Sequence, residues 1–388
     1  MKTIIRLLAG SFIILLSLII FTSCARNSQS SGKYNSFHPG EIWLDNNGVA
    51  INAHGGGILY ENGIYYWFGE HKIAGKAGNV AQVGVHCYSS RDLYNWQDEG
   101  IALAVVEDDS THEIAKGCIL ERPKVIYNAK TGKYVMWFHL ELKGSVYKSA
   151  RCGIAVSDKV TGPYTYIHSI RPNREAWPVN VLDIHKKPYN TDANAAFTGG
   201  SLPGHPDTLN ILGRDFAAGQ MSRDMTLFVD DDGTAYHICA SEENSTLHTS
   251  ALTDDYLATA GKFSRVFVNR FMEAPAICKY NNKYYFIGSG CTGWLPNAAR
   301  SAVADSIMGG WQELGNPCVG PDSALTFHSQ STFILPVAGK EGAFIFMADR
   351  WNPENAIDGR YVWLPLEFKD GRIIVQWRDE WDLSVFDK

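Results

Sequence analysis

Three carboxylates, Glu121, Asp224 and Glu273, each stand at the head of a similar phrase. In each, the head is followed by a short apolar run, a turn rich in Asn, Gly, Lys or Asp, and a second apolar or aromatic run. Glu121 leads into RPKVIYNAKTGKYVMWF, Asp224 into MTLFVDDDGTAYHIC and Glu273 into APAICKYNNKYYFIG. Two further copies are headed by His54 (GGGILYENGIYYWFG) and Gln330 (STFILPVAGKEGAFIF). Carboxyl groups gathered at one place can cleave a glycosidic bond. One carboxylic acid protonates the leaving oxygen, and an inverting enzyme needs a base across the sugar, about 6.5–9.5 Å away, to admit water. A third carboxylate beside the acid raises its pKa by like-charge repulsion. A carboxylate at a strand start can equally just face solvent. Three in register, two of them followed by the similar Arg-Pro and Ala-Pro, favour a shared site.

The elements that must position these heads are legible in the same phrases. Each phrase reads as a strand, a tight turn and an antiparallel strand. Five spaced hairpins predict radial repetition, one blade per unit, with the innermost strand heads converging on one pocket. A second phrase completes the blades: Ala155-VSDKVTGPYTYI and Ala302-VADSIMGGWQEL are near copies. These read as outer strands broken by an Asp-containing turn. No amphipathic helix of ordinary length follows residue 33, so the expected fold is all-β, a five-bladed β-propeller over 38–388 as one catalytic domain. The stretch from Arg372 alternates enough to be a closing strand. A blade needs about 40–50 residues, and only the interval from Glu121 to Asp224 is much larger. Its excess, about 167–220, is rich in Pro, Asn and Gly and is expected to be a functional lid or rim.

Trp67, Trp137, Trp294 and Trp351 lie at or near the ends of second strands. Aromatic faces stack on sugar C–H groups, yet singly each is better explained as core between blades. The exception is Trp294, in the Gly-rich SGCTGWLPNAAR with Thr292 and Asn297 beside it. Other motifs fail on inspection. HGGG at His54 matches a lipase oxyanion loop, but no G-x-S-x-G elbow exists, and the glycines are read as allowing close backbone approach. His112-Glu113 lacks the second His of a zincin. Asp230-Asp231-Asp232-Gly233 has no Glu at EF-hand spacing and reads as a hairpin turn. Setting Cys24 aside, the other seven of the 8 cysteines form no C-x-x-C pair, which argues against a zinc site and a full disulfide framework. No metal or other cofactor is expected. The formal net charge of -6, without a Lys/Arg-rich run, argues against nucleic acid.

The N-terminus has a basic start, an apolar stretch and Phe21-Thr22-Ser23-Cys24. It resembles a bacterial lipoprotein signal over 1–23, which would make Cys24 the lipidated first residue of the mature chain. Residues 24–37 then form a flexible tether. Attachment to the cell envelope by this lipid alone is expected. The absence of an acidic residue just after Cys24 points to the periplasmic side rather than the cell surface. A monomer is the expected state.

The motifs NAHGGGILY, YYWFGEHK, GCILERPKVIYN, MWFHLELKG, SRDMTLFVDDDG, EAPA, SGCTGWLPNAAR, FHSQSTFILP and DRWNPENAIDGRYVWLP resemble glycoside hydrolase family 43. Within it they are most similar to the exo-β-1,3-galactanase branch (subfamily 24-like), over about 40–387. That resemblance implies an inverting enzyme that removes galactose from the non-reducing end of β-1,3-galactan, the backbone of arabinogalactan. It makes Glu273 the general acid and Asp224 the group that tunes and orients it. Most of the wider family takes its base from an aspartate of the first blade, where this chain has Asn52-Ala53-His54-Gly55. The branch implies Gln330 in that role, with Glu121 holding the sugar, and Glu70, Tyr147, Thr292 and Trp294 at galactose-binding positions. A neutral amide is a poor proton acceptor, so Gln330 either works through its imidic tautomer, passing a proton along a hydrogen-bond chain, or positions water while Glu121 or another group takes the proton. Two other functions fit the same sequence: a family 43 α-L-arabinofuranosidase or β-xylosidase, and a non-catalytic sugar-binding lipoprotein.

Overall fold

The computed structural model describes residues 33–192, 209–293 and 295–387. Cys24, the signal segment, most of the tether and Trp294 lie outside them. Among the described residues, twenty-one strands form five sheets. The first blade is β1 (His54–Glu61), β2 (Ile64–His71), β3 (Gly84–Ser90) and β4 (Gln97–Ala104). The second is β5 (Ile119–Asn128), β6 (Lys133–Glu141), β7 (Arg151–Ser157) and β8 (Thr165–Ile170). The third is β9 (Met225–Val229), β10 (Ala235–Ser241), β11 (Thr246–Leu252) and β12 (Thr259–Val266). The fourth is β13 (Met272–Tyr280), β14 (Lys283–Gly290), β15 (Arg300–Ala304) and β16 (Gln312–Gly315). The fifth holds β17 (Cys318–Val319), β18 (Gln330–Pro336), β19 (Phe344–Asp349), β20 (Tyr361–Lys369) and β21 (Arg372–Gln376). This is the five-bladed all-β propeller the repeated phrases predict. Among the described residues, no helix is long and apolar enough to cross a membrane.

The blades share one local device. In the innermost strand of four blades the register shifts just after the head, between His54 and Gly57, Glu121 and Lys124, Glu273 and Ala276, and Ser331 and Phe333. At three of these bulges the residue after the head is left-handed: Gly55 at φ 63°, Arg122 at 54° and Ala274 at 55°. A bulge bends the strand and re-aims a side chain, so each head turns inward while the strand beyond resumes its alternation. Gly55 is glycine for a second reason, since a Cβ there would strike the Glu70 carboxylate.

The stretch past Arg372 does two things, first adding a strand to the fifth blade and then closing the ring. β21 ends at Gln376 and pairs inside its own blade, antiparallel to β20 and parallel to β17. Closure falls to Trp381, further along the same stretch, which forms an isolated bridge with Phe37 of the segment before β1. The Tyr361 hydroxyl donates to the Ile51 carbonyl at 2.9 Å and accepts the Ala53 N–H at 2.8 Å. Around this seam packs an aromatic cluster of Phe37, Trp43, Trp67, Trp96, Tyr361, Trp363 and Trp381. Its close ring pairs, such as Trp67–Tyr361 at 4.5 Å and Phe37–Trp381 at 4.3 Å, add about 0.5–1.5 kcal/mol each beyond their buried area. Trp67 and Trp137 are thus core residues between blades.

The described parts of the long excursion pack on the third blade. Asn180 exchanges two hydrogen bonds with the Arg265 backbone, at 2.8 and 3.0 Å. The Arg265 guanidinium is shared between His185, at 2.7 Å, and both oxygens of Glu242. A short helix, Ile211–Arg214, brings Arg214 to Glu243 at 3.0 Å.

Candidate active site

All five heads, His54, Glu121, Asp224, Glu273 and Gln330, line one cavity of about 570 Å³. Loops joining the second and third strands of the blades surround them, because those loops leave at the same end of the ring. From these loops come Asn79, Tyr147, Asn244, Asn297 and Trp351. The ammonium of Lys124, a buried side chain, donates to the Gly55 carbonyl at 2.9 Å.

Asp224 and Glu273 sit on neighbouring blades and are locked together. Asp224 Oδ2 accepts the Ala274 N–H at 3.0 Å and pairs with Arg122 Nε at 2.9 Å. Glu273 Oε1 accepts from the Asn244 side-chain amide at 3.0 Å. Burial, then the charge of Asp224, push the Glu273 carboxyl up to about 7, against the pull of Arg122. Glu273 therefore carries a proton to donate in neutral solution, while Asp224 is held by a guanidinium and a backbone amide.

Glu121 is in a different state. Its Oε1 accepts from the Tyr147 hydroxyl at 2.7 Å and its Oε2 lies 2.8 Å from His139 Nδ1. Burial alone would raise it, but hydrogen bonds from His139 and Tyr147, with the charges of His139 and Lys72, bring it down to about 2. A carboxylate this acidic is a fixed anion suited to accepting sugar hydroxyls, and a weak base. Glu121, His139 and Asp224 place ligand-type atoms within 4.8 Å of one another. Yet His139 has both ring nitrogens engaged by carboxylates, the second by Glu141 at 3.1 Å, so it has no lone pair to offer a cation.

Gln330 is held at both ends. Its Oε1 accepts from Arg122 Nη2 at 2.5 Å, and its Nε2 donates to Ser289 Oγ at 2.8 Å. A guanidinium can only donate, so the amide oxygen must be the end that faces Arg122. Arg122 thus joins the acid side to the Gln330 side: Nε on Asp224, Nη2 on Gln330, Nη1 on the Ser331 carbonyl at 3.0 Å. Its own N–H donates to Glu70 Oε1 at 2.8 Å. Glu70 pairs through its other oxygen with Lys72 at 2.5 Å, and burial, opposed by Lys72, raises its pKa.

Of the remaining expected positions, Glu70 and Tyr147 line the cavity. Thr292 is exposed on the rim, its hydroxyl bound within its own loop to the Leu295 carbonyl and Asn297. Trp294 lies outside the described residues. Asp349, the last residue of β19, heads no repeated phrase and is a site residue beyond those expected from sequence. This carboxylate is buried in the cavity wall, accepts the Gly55 N–H at 2.6 Å and lies 3.2 Å from His54 Nδ1. Arg122, His139 and Asn244 likewise join the site without having been expected there. The signal for His139 and Glu141 was their alternation with apolar residues in MWFHLE, polar groups on an otherwise apolar strand face.

A five-bladed ring whose axial cavity pairs a carboxylic acid held near neutrality with an ionised partner has the build of an acid–base glycosidase. Comparison with solved structures places it more narrowly. A GH43 β-1,3-galactosidase solved with galactodeoxynojirimycin is 51% identical, with a TM-score of 0.82 over 89% of this chain and 100% of that one. The exo-β-1,3-galactanase of Phanerochaete chrysosporium, solved as a Glu-to-Gln variant with β-1,3-galactotriose, is 32% identical with a TM-score of 0.72, covering 90% of this chain and 68% of that one. An α-L-arabinofuranosidase from Clostridium thermocellum, 18% identical with a TM-score of 0.53 over 82% of this chain and 93% of that one, shares the fold alone. No protein-family model and no curated protein matches. The chain belongs to glycoside hydrolase family 43.

Proposed function

We propose that this protein is an inverting, exo-acting β-1,3-galactosidase that releases galactose from the non-reducing end of β-1,3-galactan, as in an arabinogalactan backbone. The observation that carries the reading is Glu273, an acid raised to about 7 by burial and by Asp224, in the same cavity as the fixed anion Glu121. Glu273 protonates the oxygen between the terminal galactose and the rest of the chain. Glu121, Glu70 and Tyr147 hold the terminal sugar by its hydroxyls. Water attacks the anomeric carbon from the face opposite Glu273 as the glycosidic C–O bond breaks; Gln330, clamped by Arg122 and Ser289, positions it, and the water's spare proton leaves to solvent. The names of the similar structures supply the substrate class. Incubation with β-1,3-galactotriose tests it: galactose and the disaccharide should appear first. Cleavage of nitrophenyl arabinofuranoside or xyloside with galactotriose untouched would move the substrate class, and galactan binding without product would leave a sugar-binding protein.

The N-terminal segment extends the reading to location. Its likeness to a lipoprotein signal supports lipidation of Cys24 and attachment of a monomeric enzyme to the periplasmic side of the envelope. Mass spectrometry of the mature N-terminal peptide reads this directly, as an acylated Cys24 or a free one.

A further inference from the structure

Both hydrogen-bond partners of Glu121 lead back to one residue outside the cavity. His139, on β6, contacts Glu121 through Nδ1 and Glu141 Oε1 through Nε2, at 2.8 and 3.1 Å. Tyr147 belongs to the loop after β6, which turns back over the cavity with Val146, Tyr147 and Ala150 all at positive φ, 45°, 59° and 45°. Such backbone persists only where surrounding contacts over-determine it. Those contacts again include Glu141, whose Oε2 accepts the Ser149 N–H at 2.7 Å and the Ala150 N–H at 3.0 Å. His139 and Glu141 are both 0% exposed, and Glu141 does not line the cavity.

We propose that Glu141 is a positioning residue for substrate binding: it keeps His139 as the imidazolium that faces Glu121, and it holds the loop that presents the Tyr147 hydroxyl to the same carboxylate. Glu121 is thereby an obligate anion, an acceptor for sugar hydroxyls that is not available to take the proton of the attacking water. An imidazole wedged between two carboxylates, with no exposed surface, is favoured in its charged form, which matches its rise to about 9 against the effect of burial. Other charges face Glu121 too. Lys72 and Glu70 come from the first blade, Arg122 from its own strand, Asp224 from the third blade and Glu273 from the fourth. Lys72 and Arg122 favour the anion and the carboxylates oppose it, and His54 of the first blade faces it too; of these groups, among the described residues, Glu141 is hydrogen-bonded to His139.

The proposal rests on the galactosidase reading, and its test separates the two by using a readout that needs no turnover. Glu141→Gln keeps the shape and removes the charge. The His139 imidazole, followed by NMR of the histidine rings, should lose its proton at a pH at least one unit lower than in the parent. The kcat/KM for β-1,3-galactobiose should fall at least 10-fold, mostly through KM, and the loss should deepen as pH rises and His139 gives up its proton earlier than in the parent. Glu141→Asp, which keeps the charge, should restore the histidine titration. An unchanged His139 titration overturns the proposal whatever the activity, and so does an equal loss of kcat/KM at every pH. If Glu141→Gln does not fold, His139→Gln retains a donor for Glu121 without the charge. It should then show an acidic limb displaced to higher pH, because Glu121 loses its neighbouring cation, and an unshifted limb would overturn the proposal. A parent enzyme inactive on galactobiose with His139 titrating as described would refute the galactosidase reading and leave this one standing.

Discussion

The carboxylate of Asp224 accepts the backbone N–H of Ala274 at 3.0 Å, so the third blade grips the residue next to Glu273 on the fourth. The left-handed backbone at Ala274, φ 55°, makes that grip possible by turning its N–H outward from the strand and the Glu273 side chain toward the cavity. One carboxylate therefore fixes the other's position and, by its charge, its proton affinity.

Loss of the acid should be close to total. Glu273→Gln is expected to lower kcat on β-1,3-galactobiose by about 10²–10⁴-fold, the usual weight of a general acid. The melting temperature should barely move. A variant keeping a tenth of the parent rate would remove Glu273 from the role.

The pH profile should show the same coupling. With Glu273 at about 7, activity that needs its proton falls as pH rises through that value. Asp224→Asn removes a negative charge that raises the Glu273 pKa, so the basic limb of kcat/KM should move to lower pH. A basic limb that stays in place in this variant would show that Asp224 does not tune the acid.

Gln330 is clamped by Arg122 and Ser289 as a water-positioning amide. Gln330→Ala should lower kcat by at least about 10²-fold with a small change in KM, the pattern of a general-base or water-orienting group. Azide, a nucleophile that needs no base, should restore part of the rate and give α-galactosyl azide. Failure of azide together with a large rise in KM would make Gln330 a sugar-binding residue.

The seam between the first and fifth blades gives a stability prediction. Tyr361→Phe strips partners from the Ala53 N–H and the Ile51 carbonyl, both inside the aromatic cluster. A cost of about 1–3 kcal/mol is expected from unsatisfied buried groups, read as a lower denaturant midpoint with an unchanged slope. No change would mean that closure rests on the tryptophans alone.

The fold and the five heads were legible because a propeller repeats its signal: each blade writes the same strand, turn and strand, and the head holds the same place in each. Arg122 was hidden in ERPK because its role depends on a left-handed backbone at a bulge, which propensity does not announce. Asp349 and Asn244 were hidden because they sit at or beyond second-strand ends, where loops carry no periodicity and reach the cavity only once the ring has closed. The stretch past Arg372 does reach the seam, through Trp381, but its partner there was not legible for a related reason. Alternation identifies a strand but not its partner, and here an extended N-terminal segment around Phe37 completes the seam.

The central claim is acid-catalysed release of galactose with inversion, and proton NMR of the mature protein acting on β-1,3-galactotriose tests it most directly. The account predicts that α-galactose appears first and the β anomer only as mutarotation proceeds. First appearance of β-galactose would contradict it, because it would require a covalent intermediate that this arrangement of Glu273, Asp224 and a clamped Gln330 is not built to form.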